Sequence, residues 1–93
     1  DEPAIDLALS VALASSFRNC KVLPKTIIFG EVGLAGEVRT VSQAEVRIAE
    51  AVKMGFKHVI LPKKNLEHLP AGLGIQLHGV DNVRDALRIA LQG

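Results

Sequence analysis

Between Thr26 and Leu61 the hydrophobic period changes twice, and no other feature of the chain limits its fold as strongly. Thr26 to Val32 is β-branched and aromatic in the manner of a buried strand. Glu37 to Val41 alternates, with Val38 and Val41 flanking Arg39 and Thr40, and reads as a second, more exposed strand. The short link between them, Gly33-Leu34-Ala35-Gly36, carries two glycines and predicts a hairpin. Apolar residues then move to helical spacing: Ala44, Ile48, Ala51 and Val52 share one face, while Arg47, Glu50 and Lys53 lie elsewhere. Ser42, with Glu45 three residues on, has capping-box spacing, and Gly55 supplies the C-cap. Lys57 to Leu61 returns to strand character and is closed by Pro62. A strand, a helix and a strand in that order predict a right-handed crossover with parallel strands.

The flanking segments extend this pattern. Pro3 suits the first turn of a helix, with Asp1, Glu2 and Asp6 near its positive pole. From Ile5 to Phe17 that helix is apolar or small on nearly every side, which predicts burial on several faces or a missing covering layer. Lys21 to Lys25 reads as a basic connector. Lys63 to Gly72 reads as a loop with one helical turn at Asn65 to Leu69, and Gly74 to Val80 as the last strand. Asp81 is expected to cap a closing helix on which Val83, Ala86, Leu87, Ala90 and Leu91 follow the i, i+3, i+4 pattern. The predicted order is αββαββα, an α/β fold of two layers with helices packed on one sheet. With 93 residues the chain makes a single domain.

Composition removes several functions. A net charge of +1 gives no strong global field toward DNA or a membrane. Three Phe, with no Trp or Tyr, leave few platforms for stacked bases, so base-specific readout is not expected. The single Cys20 excludes an internal disulfide and a multi-cysteine metal site, and points to a reducing, cytoplasmic setting. Following a helix end, it is not expected to be catalytic, because the negative pole there disfavours a thiolate. No apolar run is long enough to span a bilayer. The absence of a starting methionine at Asp1 gives the expectation of a piece cut from a longer protein.

Local chemistry favours no enzyme. The glycines Gly30, Gly33 and Gly36 are spaced G-x-x-G-x-x-G and lead into a strand, whereas a nucleotide cradle needs G-x-G-x-x-G or a Walker lysine opening a helix. His58, His68 and His78 are ten residues apart without thiolate or carboxylate company, so they read as structural or surface histidines and no metal site is expected. Glu45 has a sufficient role as the reciprocal cap, and Glu50 can pair with Lys53 or Lys57.

The segment from Gly36 to Asn65 resembles the proteolytic domain of the Lon family. Gly36-Glu37-Val38, a capped helix ending at Gly55, and Val59-Ile60-Leu61-Pro62-Lys63-Lys64-Asn65 are similar to that family's Gly-Glu-Val strand, helix, and Ile-Pro-Lys-Glu-Asn run. The opening Asp1-Glu2-Pro3-Ala4-Ile5-Asp6 resembles its nucleophile turn, Asp-Gly-Pro-Ser-Ala-Gly. The resemblance implies a Lon-protease-like fold, related in shape to the second domain of a small-subunit ribosomal protein. It also places Ala4 where the family has its serine and Glu45 where it has its lysine. Both halves of the dyad are replaced, so the resemblance implies a domain without catalytic residues.

That pair of losses, together with Leu7-Ala8-Leu9 and Ala14-Ser15-Ser16-Phe17-Arg18, resembles the bacterial RadA/Sms family. Its members carry a zinc finger, a RecA-like ATPase core and a carboxy-terminal Lon-like domain. They resemble DNA-dependent ATPases that process branched recombination intermediates in hexameric rings. The resemblance implies that residues 1–93 are the carboxy-terminal part of such a pseudo-protease domain, with ATP, magnesium and zinc held elsewhere in the parent. Self-association is expected, with Leu7, Leu9, Val11 and Leu13 as candidates for an exposed side. Candidates for contact with DNA are Arg39, Arg47, Lys57, Lys63 and Lys64. No membrane or small-molecule substrate is expected. The alternatives are an active Lon-type peptidase and a free-standing binding module.

Overall fold

The computed structural model describes residues 5–92. Among them are β1 (Ile5–Asp6), α1 (Leu7–Arg18), β2 (Lys21–Val22), β3 (Thr26–Ile28), β4 (Glu31–Val32), β5 (Val38–Arg39), α2 (Ala44–Lys53), β6 (His58–Pro62), α3 (Lys63–Leu66), β7 (Gln76–Val80), α4 (Val83–Ala90) and β8 (Leu91–Gln92). The chain is α/β, as expected, but the expected order αββαββα lacks several of these elements.

The centre is β6, paired in parallel with β3 on one edge and β7 on the other. Val59, Ile60 and Leu61 are fully buried, so consecutive apolar side chains point to opposite sides and each side needs its own cover. Ile60 joins Val80 of β7, Leu7 and Val11 of α1, and Ala86 and Ala90 of α4 in one core. Val59 and Leu61 join Ile48 of α2 in a second, lined by Ile27, Phe29, Leu66 and Leu77. Helices therefore cover both faces, and the two-layer expectation is corrected. The parallel partner of β6 is β3 and not β5, so the crossover begins one strand earlier than the sequence pattern implies.

Thr26 to Val32 is not one strand. It breaks at Gly30, whose φ of 144° suits glycine and where a Cβ would come 3.0 Å from the Val38 side chain. The Gly30 carbonyl instead accepts from the Leu7 amide at 2.9 Å, and β4 leaves the parallel sheet to form a small antiparallel one in the order β1-β4-β5. The expected hairpin is present: β4 and β5 pair antiparallel, closed by the Gly33 amide donating to the Glu37 carbonyl at 2.8 Å. The Val38 amide donates to the Asp81 carbonyl at 2.8 Å, and the Val83 amide to the Gly36 carbonyl at 2.9 Å, tying the hairpin to the start of α4.

Helix ends differ from expectation in three places. Helix α1 starts at Leu7, capped by Asp6, whose carboxylate accepts from the Leu9 amide at 3.1 Å; the expected Pro3 start lies outside the described residues. Lys21–Val22, read as a connector, pairs antiparallel with Leu91–Gln92. Asn82, not Asp81, caps α4, accepting from the Asp85 amide at 2.9 Å.

The Ser42 capping box is absent. Gln43 occupies the cap position of α2 in a left-handed conformation, φ 56°, with no side-chain cap, so Ser42 stands outside the helix and Glu45 is exposed on its first turn. The other end follows the reading: Gly55, φ 90°, donates to Val52 while Phe56 donates to Ala51, a Schellman ending. On this helix Ala44, Ile48 and Ala51 are buried, but Val52 is not.

These caps give a paired test. Asn82→Ala should lower stability by about 0.5–2 kcal/mol, whereas Ser42→Ala should stay within about 0.5 kcal/mol of the parent. Urea unfolding of the three chains measures both; equal losses at the two positions would return the cap to Ser42.

Candidate functional site

Asn65 builds the corner on which the site stands. It is the buried polar residue at the end of β6, where Pro62 passes into α3. Its Oδ1 accepts from the Val41 amide at 3.0 Å, and its Nδ2 donates to the Val41 carbonyl at 3.0 Å. Both polar groups of Val41 are satisfied by one side-chain amide, as a neighbouring strand would satisfy them. The segment entering α2 is thereby pinned to the end of the central strand without a cap of its own.

A cleft of about 610 Å³ opens beside this corner, lined by Asp6, Ile27 to Glu31, Thr40, Val41, Ser42 and Arg47. Asp6 stands two residues after Ala4, and Ser42 and Arg47 bracket Glu45. Ala4 itself lies outside the described residues. The cleft offers the hydroxyls of Thr40 and Ser42 and the carboxylates of Asp6 and Glu31. The cation among these lining residues is the guanidinium of Arg47. That guanidinium sits 5.7 Å over the Phe29 ring, a cation–π contact that fixes its direction.

Thr40 also borders a second cleft, of about 470 Å³, with Glu37, Val38, Arg39, Lys64 and Asp81. Arg39 meets Glu37 at 3.5 Å. The Glu37 carboxyl lies below its ordinary value of 4.5, chiefly because it accepts a backbone hydrogen bond from its own amide, with the Ala35 amide and the Arg39 charge adding. The structure thus brings Arg39 and Lys64 to one cleft and Arg47 to its neighbour. Lys57 stands apart: β6 separates it from Lys63 by six residues, about 20 Å of extended chain. The five basic candidates do not form one patch.

A further group has no counterpart among the candidates drawn from the sequence. Arg18 at the end of α1 and Arg84 and Arg88 of α4 line a cleft of about 380 Å³ with Cys20, Leu87 and Leu91. Arg88 pairs loosely with Asp85 at 3.5 Å. Arg84 and Arg88 are four apart on one helix face, a spacing visible in the sequence; the approach of Arg18 comes only from the packing of α1 on α4. The Cys20 thiol donates to the Arg18 carbonyl at 3.6 Å, and Glu50 pairs with Lys53 at 4.0 Å.

The structure adds to the sequence reading of the histidines a pairing that their spacing does not show. His58 Nδ1 and His78 Nε2 are 3.1 Å apart on adjacent strands, while His68 is exposed on the loop. Burial, and secondarily the charge of His58, hold the His78 imidazole below its ordinary value.

On the apolar side, Leu9, Leu13 and Phe17 of α1 are 50%, 57% and 93% exposed, one stripe at a spacing of four. Leu7 and Val11, also candidates for an exposed side, are buried against the sheet instead. None of the described helices is long and apolar enough to cross a membrane.

The family model described as "Subunit ChlI of Mg-chelatase" matches residues 2–65. A protein named DNA repair protein RadA from Bacillus subtilis is 52% identical over 93 residues, all of this chain and 20% of that protein. Its namesake from Halalkalibacterium halodurans is 50% identical over 91 residues, 98% of the chain and 20% of the relative. That of Synechocystis is 48% identical over 91 residues, 98% of the chain and 18% of the relative. The chain belongs to the family of that model, and along its whole length it is homologous to proteins named DNA repair protein RadA. It spans about 20% of the length of these relatives.

Two measurements probe the site. Asn65→Ala leaves both polar groups of Val41 without their partner and should cost about 1–3 kcal/mol per orphaned buried group, read as a lowered urea midpoint. Asn65→Asp should not rescue it, since a carboxylate cannot donate to the Val41 carbonyl.

For His78, the folded chain resists a proton that the unfolded chain accepts. Its contribution is complete at high pH and is lost as pH falls below the ordinary 6.5 toward the depressed folded value. Tm should fall on acidification through that window, and His78→Gln should flatten the fall. The Glu37 contribution is lost only lower, as pH drops below 4.5. An identical pH profile for His78→Gln would dissociate the pair from acid sensitivity.

Proposed function

We propose that this chain is the carboxy-terminal, non-proteolytic Lon-like domain of a RadA-like DNA repair ATPase, and that it serves as an assembly platform with a DNA-contacting surface. The observation that carries the reading is identity of 52% along the full chain to a protein named for DNA repair. ATP, magnesium and zinc then belong to other domains of a cytoplasmic bacterial parent that processes recombination intermediates. The exposed stripe Leu9, Leu13 and Phe17 is the subunit-contact candidate, and a hexameric ring is the assembly in which it would be covered.

A peptidase reading finds little support. Glu45 is exposed and carboxylic, and among the described residues lining the adjoining cleft there is no lysine or histidine to activate a hydroxyl. Contact with DNA is supported by the two clefts that share Thr40, with Arg47 on one and Arg39 and Lys64 on the other. Guanidinium groups suit phosphate, and the sparse aromatic content suits backbone contact over base reading.

The test is Arg39→Ala with Arg47→Ala in the full-length parent, with DNA affinity measured across a salt series. Removing an arginine that neutralises a phosphate should reduce the slope of log affinity against log salt by about 1. An unchanged affinity and an unchanged slope would leave these arginines out of the interface; the same series with Arg18→Ala and Arg84→Ala would then locate or exclude contact at the other cleft.

A further inference from the structure

The parallel sheet fixes two imidazoles in a relation that the sequence hides. His58 and Ile60 are two apart on β6 and share a face, and Ile60 is in register with His78 on β7. The two histidines therefore stand diagonally on the same side of the sheet. That side is the one whose core contains Ile60, Val80 and the buried residues of α1 and α4. Their nitrogens, His58 Nδ1 and His78 Nε2, are 3.1 Å apart, with ring centroids 5.3 Å apart and planes inclined at 32°. Both rings are half-buried, which limits their rotamers yet leaves a path from solvent.

We infer that His58 and His78 form a two-point chelate for a divalent transition-metal ion, with zinc(II) as the reference case. A tetrahedral zinc with bonds of about 2.0–2.1 Å to two imidazoles holds their nitrogens roughly 3.3–3.4 Å apart. The pair needs to open by only a few tenths of an ångström, through in-plane rotation of the rings, to turn both lone pairs onto one ion. In the metal-free pair one of the two facing nitrogens carries the proton of the hydrogen bond. On binding, that ring shifts its proton to its other nitrogen, so both rings remain neutral and no proton need leave the pair.

Among the described residues no group of three or more His, Cys, Asp or Glu is placed to hold one metal ion, so water fills the remaining positions and the site is an open one. Two nitrogen donors favour copper(II), nickel(II) and zinc(II) and give magnesium, which prefers oxygen, no hold. Because the ligands come from two hydrogen-bonded strands, a bound ion ties β6 to β7 and stabilises the folded chain by mass action. The donors are twenty residues apart in sequence, which is why the spacing of the histidines gave no metal signal.

The experiment is calorimetric titration of zinc chloride into the 93-residue chain, with thermal unfolding measured in parallel. Wild type should take up one equivalent and gain Tm with zinc, while magnesium should produce neither effect. His58→Gln and His78→Gln should each weaken binding at least as much as loss of an outer-shell partner does, about 10–100-fold. His68→Gln should bind as wild type does. Imidazole nitrogen spectra of the unmutated chain give a readout that does not depend on the variants folding: zinc should move the signals of His58 and His78 and leave His68 in place. Absence of a zinc-dependent Tm gain, equal affinity in all three variants, or perturbation of His68 alone would each overturn the inference.

Discussion

The double burial of β6 is the constraint from which the remaining architecture follows. Three consecutive apolar residues, Val59, Ile60 and Leu61, cannot be satisfied by one covering layer, because neighbours on a strand point to opposite faces. Parallel neighbours β3 and β7 satisfy its backbone. Helices α1 and α4 then cover one face, and α2 and α3 the other. The two buried cores lie on opposite faces of the sheet, and along β6 alternation assigns each side chain to one of them. Shortening Ile60 or Leu61 would open a cavity in one core while leaving the side chains of the other in place.

The corner beyond this strand converts packing into a site. Where β6 ends, Asn65 replaces a strand neighbour for Val41 and so sets where α2 begins. Since Gln43 offers no side-chain cap, the direction in which Ser42 and Arg47 face the cleft depends on a contact made 24 residues away in sequence. The cation–π contact of Arg47 with Phe29 works in the same sense, because Phe29, whose amide donates to the Ile60 carbonyl at 2.9 Å, is still held to β6 just before the Gly30 break. The cleft is therefore the place where the parallel sheet, the hairpin and α2 part company, held open by one amide and one glycine.

How much of this is legible in the sequence follows from the range of each interaction. The hairpin, the strand character of β6, the Gly55 ending and the apolar face of α4 are set by neighbours within a few residues, and the hydrophobic pattern shows them. The breaks do not show. A run such as Thr26 to Val32 is uniformly strand-like, and only the approach of Leu7 and Val38 to Gly30 explains why it divides. The capping box at Ser42 has the right letters, but Gln43, two residues past the Asn65 clasp on Val41, takes a left-handed conformation and the helix starts after it. The short strands β2 and β8 leave no trace in the pattern because pairs of two residues carry no period at all. Among the candidate cations, charge alone cannot tell that Lys57 lies at the far end of the strand from Lys63 and Lys64, nor that Arg18 joins Arg84 and Arg88.

The charge distribution also determines what kind of nucleic-acid contact such a domain can support. Arg39 is held beside Glu37, Arg88 beside Asp85 and Lys53 beside Glu50, so part of the positive charge is answered within each element. Each of the two clefts also carries carboxylates, Asp6 and Glu31 beside Arg47, and Glu37 and Asp81 beside Arg39 and Lys64, and at ordinary ionic strength charges more than about 8–10 Å apart on a surface are screened from one another. A single copy would then engage few phosphates and release few counterions. Several copies on one strand of DNA would multiply those contacts, since after the first has bound the others act at an effective concentration set by their spacing. On the proposed reading, an exposed apolar stripe on α1 and clefts of divided charge would be complementary properties: the stripe would offer a means of repetition, and repetition is what clefts carrying so few cations would require to hold a polyanion.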